Sequence, residues 1–101
     1  MRRSIAVLVE DVRKELETIA ASLQSSGFGN IEAGIIEKLD SITVTAGELD
    51  MKEGKRLVKN LADTLKAIQE GKANAGSGNV RLTALDFYVK KLSSAEKTED
   101  L

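Results

Sequence analysis

Residues Ser41–Thr45 read SITVT. Four of the five are β-branched, a composition typical of strands. Whether this run is a strand or part of a helix decides the fold class. Nothing elsewhere in the chain offers a comparable run to pair with, and an isolated pair of short strands is unstable in water. The flanking residues resolve the choice. Ile31, Ile35, Leu39, Ile42 and Ala46 recur at three- and four-residue steps, with Ile36 widening the stripe. At about 100° per residue these positions share one face of a helix. The spacing therefore predicts a helix over 30–46 that runs through SITVT. Asn30 is placed to cap it, Glu32 lies where the helix dipole favours an acid, and Gly47 suits the residue after its end.

The same period recurs on both sides. Ile5, Leu8, Val9, Val12, Leu16, Ile19 and Leu23 predict a helix over 3–25. Gly54, Leu57, Leu61, Leu65 and Ile68, with Val58, predict another over 51–70. Asp50 and Glu53 have the spacing of a capping box, and Gly71 stands at the helix end. Leu82, Leu85, Val89 and Leu92 predict a fourth helix over 80–94, with Asn79 as its cap. Residues 1–94 then form one domain, and 95–101 read as a polar, flexible tail.

Two glycine stretches punctuate this pattern: GFGN at Gly27–Asn30 and GSGN at Gly76–Asn79. At the offset that superposes Gly27 on Gly76, Leu8 meets Leu57, Val12 meets Leu61, Leu16 meets Leu65 and Ile19 meets Ile68. Duplication and a coincidence of helical period with turn chemistry both produce this register. In either case the chain reads as two similar helical hairpins. Packing them together buries all four stripes, so the expected fold is an all-α, up-down-up-down four-helix bundle. An open arrangement that dimerises is the alternative.

Composition narrows the function. The 101 residues are 42% apolar and 31% charged, with net charge −1. That balance does not favour nucleic-acid binding, which usually needs a basic excess. The chain has neither cysteine nor histidine. Thiolate chemistry, cysteine zinc sites, histidine phosphotransfer and the commonest general base are thereby excluded. The opening MRRSIAVLVEDV has too short an apolar run for a secretory signal, and no run approaches a membrane span. The expected location is cytoplasmic, with no membrane partner.

Motif chemistry is sparse. A GxG before a helix can expose amides to an anion, but the phosphate-loop pattern is missing and no strand precedes either loop. Glu37 and Asp40 match half of the paired carboxylates with which small all-α nucleotide pyrophosphohydrolases hold Mg²⁺; no E-x-x-E lies upstream. Both acids fall largely off the apolar stripe, and a magnesium site needs several converging oxygens. Lys52, Lys55, Arg56 and Lys59 form a basic patch among Asp50, Glu53 and Asp63, with no aromatic residue interleaved. With Arg2 and Arg3 it is the only basis for a nucleic-acid reading.

The fourth helix carries a second apolar face. Opposite its main stripe, Val80, Ala84, Phe87 and Lys91 share one side, with Tyr88 at the stripe's edge. A helix apolar on two sides is either central in its domain or covered by a partner. Phe28, at the first hairpin tip, aligns with Ser77 of the second half and belongs to no stripe; it either folds over the hairpin to close the bundle end or stands exposed for a partner. The expected partner-binding set is therefore Phe28, Val80, Ala84, Phe87 and Lys91. No catalytic residue, metal or cofactor is expected. The reading is a non-catalytic interaction module (an adaptor, chaperone-like or regulatory subunit) that binds a protein partner or forms a homodimer through the fourth helix. A Mg²⁺-dependent nucleotide-hydrolysing enzyme using Glu37 and Asp40 is the alternative.

Overall fold

The computed structural model describes the backbone of residues 5–99, and the side chains of 8–92 other than Ala33. Four helices fill it: α1 (Ile5–Ser26), α2 (Ala33–Glu48), α3 (Lys52–Gln69) and α4 (Ala75–Glu99). No strand occurs among the described residues. SITVT lies inside α2. Ile42 enters the core, and the hydroxyls of Thr43 and Thr45 donate to the carbonyls of Leu39 and Ser41 at 2.9 and 3.2 Å. Burial of Ile42 and these local bonds offset the weak helix propensity of β-branched residues. Val44, pointing away from the core, remains 61% exposed.

The helices form a four-cornered bundle. Among the described residues the backbone of α1 approaches those of α2 and α4, and that of α3 approaches the same two, with no such approach across either diagonal. Short links at 27–32, 49–51 and 70–74 make consecutive helices antiparallel neighbours. The result is an all-α, up-down-up-down four-helix bundle. The α2–α3 pair is the most closely packed and α1–α2 the least. Leu16 and Leu23 of α1, Leu39 of α2, Leu61 and Leu65 of α3 and Leu85 of α4 are fully buried. Each such side chain contributes about 1.5–3 kcal/mol relative to exposure. No polar or charged side chain is buried among the described residues.

Helix ends depart from several expectations. α2 begins at Ala33, so Asn30 does not cap it; Glu32 takes that position without a side-chain bond. Gly47 lies within α2, and the left-handed residue after the helix is Asp50 at φ 60°. The amide of Met51 donates to the Ala46 carbonyl at 2.8 Å and that of Asp50 to Gly47 at 3.2 Å, which satisfies the terminal carbonyls. Asp50 is thereby used up at the end of α2, and the capping box with Glu53 does not form: Met51 precedes α3 without a side-chain cap. Gly71, at φ 76°, closes α3 by the same pair of bonds, as its position implies.

The largest departure is at α4, which starts five residues before the predicted 80 and extends through Glu99. Asn74, not Asn79, is the cap: its Oδ1 accepts from the Ser77 amide at 3.0 Å. GSGN is the first turn of a helix, whereas GFGN is a true interhelical turn with Gly27 at φ 75°. The two stretches are not equivalent hinges. Residues 95–99, expected in the tail, are helical; 100 and 101 lie outside the described residues.

Candidate interaction surface

Of the two placements open to Phe28, the structure takes the buried one, at the end of the bundle. It is 7% exposed and belongs to the core. Its ring lies against Gly78 in the first turn of α4. A Cβ on Gly78 would stand 2.7 Å from Cδ1 and Cε1 of Phe28. The turn after α1 thus drops an aromatic ring into a notch that only glycine leaves open. Phe28 closes one end of the bundle and lies apart from the exposed face of α4.

The other four predicted residues do share an exposed face. Val80, Ala84, Phe87 and Lys91 all lie on the outer side of α4, away from buried Leu82, Leu85 and Val89. Val80 is 66% and Phe87 62% exposed. Lys91 Nζ sits 5.1 Å from the centre of the Phe87 ring, a cation–π contact that holds the ammonium over one aromatic face. An ion pair between Lys90 and Asp86, 3.1 Å apart, lies beside the stripe.

Tyr88, at the edge of the core stripe, turns inward. Its hydroxyl reaches the first turn of α3, where a Cβ on buried Gly54 would come within 2.8 Å of Oη. Burial of the phenol raises its pKa above 10.0; the nearby Glu53 carboxylate raises it further, and the Gly54 amide offsets part of the rise. Tyr88 therefore fastens α4 to α3 and leaves Phe87 as the exposed aromatic of the pair.

The two acids of the enzymatic alternative stand on the surface of α2. Glu37 and Asp40 are both exposed on α2, and Asp40 pairs with Lys66 of α3 at 3.2 Å. Among the described residues no group of three or more candidate ligands could hold a metal ion. Lys52, Lys55, Arg56 and Lys59 are exposed along α3, with Arg56 3.7 Å from Glu53. Arg2 and Arg3 lie outside the described residues. An open groove of about 470 Å³ follows the loosest helix contact, between Lys14, Glu15, Thr18 and Ile19 of α1 and Lys38 and Ser41 of α2. Its rim is mostly solvated side chains, and no described helix is long and apolar enough to cross a membrane.

No family model, curated protein or solved structure matches this chain. The functional reading rests on its surface.

Val44 of α2 is the remaining large apolar side chain exposed among the described residues, and no stripe in the sequence includes it. The signal was available: it lies off the Ile35–Leu39–Ile42–Ala46 stripe, on the line of Glu37 and Glu48.

Proposed function

We propose that this chain is a small, non-catalytic interaction module that self-associates through the outer face of α4. The observation that carries this reading is the unbroken exposed line Val80–Ala84–Phe87–Lys91, with two large apolar side chains well over half exposed. Exposing that much apolar surface along one helix is unfavourable unless a second surface covers it. The core supports the same conclusion. Phe28 and Tyr88 are committed to holding α4 in place, so the rigid helix presents Phe87 with little conformational cost on binding. A cytoplasmic location belongs to the same proposal and is supported by a chain without cysteine.

Sedimentation of the wild type and of Phe87→Ser tests it. Phe87 is exposed, so the substitution leaves the core intact. The wild type should gain average mass with concentration, and Phe87→Ser should remain monomeric. A wild type that stays monomeric at every concentration, and sediments like the variant, overturns the reading.

A further inference from the structure

Val44, Val80 and Phe87 are the large apolar side chains left exposed among the described residues. The last two belong to the α4 face. Val44 lies on α2, which occupies the opposite corner of the bundle from α4. Both helices turn their buried stripes toward the common core, so their outer faces look away from each other.

The two faces have the same spacing and opposite charge. Glu37, Ser41, Val44 and Glu48 are all exposed on α2 and follow one another at steps of four, three and four residues. Val80, Ala84, Phe87 and Lys91 repeat those steps on α4. At 3.6 residues per turn each set lies nearly on one line. On this line α2 carries Glu37 and Glu48; Asp40 is paired with Lys66 of α3, and Lys38 lies toward α1. From Ala75 to Leu92, α4 carries Lys91 on its line and Arg81 next to it, while Lys90 and Asp86 pair with each other.

Consecutive helices alternate in direction, so α2 and α4 run the same way. When the two faces are laid side by side in that common direction, with Val44 against Phe87, Glu48 meets Lys91 and Ser41 meets Ala84. Glu37 then meets Val80, with Arg81 next along the chain. A symmetric pairing of two α4 faces about the middle of the stripe does the opposite. It sets Lys90 and Lys91 of one copy beside Arg81 of the other, cation against cation.

We infer that the outer face of α4 in one copy docks on the outer face of α2 in a second copy. This inference rests on the reading of α4 as a self-association surface and specifies what it meets. The contact is heterologous, so each copy retains one free α2 face and one free α4 face, and assembly continues head to tail rather than closing as a two-fold dimer. Three turns of helix on each side make a small interface, and exposed charges are screened by salt. Association is therefore weak and falls with ionic strength.

Complementation by mixing tests it. Sedimentation equilibrium is run at low salt from about 10 to about 500 μM, a range suited to a small interface. The wild type should rise beyond dimer mass. Val44→Ser and Phe87→Ser should each be monomeric alone, because each lacks one of the two faces. Mixed in equal amounts, they should form a dimer and nothing larger, since only one productive pairing remains. Both positions are exposed, and far-UV circular dichroism verifies that the variants fold. A charge exchange gives a second check: Lys91→Glu alone weakens assembly, and combining it with Glu48→Lys in the same chain restores it. If Phe87→Ser abolishes association while Val44→Ser leaves it unchanged, the α4 surface stands and its docking on α2 is refuted. A wild type that stops at dimer refutes head-to-tail assembly. If the wild type never associates, both readings fall.

Discussion

Gly78→Ala isolates the contact that the sequence hid. The added methyl would lie 2.7 Å from two ring carbons of Phe28 and 3.0 Å from a third, against an ordinary carbon–carbon separation of about 3.5–4.0 Å. The ring must therefore retreat by about 1 Å. Space lies toward the open end of the bundle, where a cavity of about 360 Å³ is lined by Phe28, Ile31 and Ile68. Retreat in that direction returns part of the ring to water. An aromatic side chain buries about 150–250 Å², so re-exposing half of it costs about 2.5 kcal/mol at 25 cal/mol per Å². Replacing a helical glycine with alanine offsets up to about 1 kcal/mol of that. The expected net effect is a loss of about 1–2 kcal/mol, and each kcal/mol lowers Tm by about 4–8 °C in a domain of this size. Urea unfolding followed by circular dichroism measures it. The decisive comparison is a double-mutant cycle with Phe28→Leu, which removes the ring edge. In that background Gly78→Ala should become neutral or stabilising. If Gly78→Ala stabilises both backgrounds equally, Phe28 does not occupy the Gly78 notch and the account of the bundle end is wrong.

Two further predictions concern helix start and packing. Asn74→Ala should cost about 1 kcal/mol by removing the cap on the Ser77 amide, whereas Asn79→Ala, within the exposed first turns of α4, should change stability by less than about 0.5 kcal/mol; equal effects in urea unfolding would put the start of α4 back at residue 79. Tyr88 is the only tyrosine, so a spectrophotometric titration reads it alone. Its folded pKa is raised above 10.0, so its contribution to stability is intact below about pH 10 and is lost as pH climbs through the folded pKa. The folded chain should titrate above the urea-unfolded chain, and a coincident midpoint would remove Tyr88 from the α3–α4 contact.

The exposed α4 line was legible from residue spacing because exposure on a regular helix follows from angle alone. Val80, Ala84, Phe87 and Lys91 sit opposite Leu82, Leu85 and Val89, and any packing of that stripe leaves them outside. Phe28 could not be placed in this way. A turn residue has no periodic face, and its burial depends on a glycine fifty positions later in the chain. The starts of α2 and α4 were misplaced for a related reason. Asn30, Asn74 and Asn79 all have the chemistry of a cap, and capping preference alone does not choose among nearby candidates. Asp50 could serve the end of α2 or the start of α3; the close packing of those helices through a three-residue link decided for the former.

By itself the sequence determined the four helices, the apolar stripe of each and the bundle that buries them, because these follow from a local period and from the lack of any partner for a strand. Only the tertiary structure decided that GFGN is a turn and GSGN a helix start, that Phe28 closes the core, and that Val44 and Phe87 face opposite sides of one molecule. Those outcomes depend on distances between residues far apart in the chain, and no periodicity encodes them.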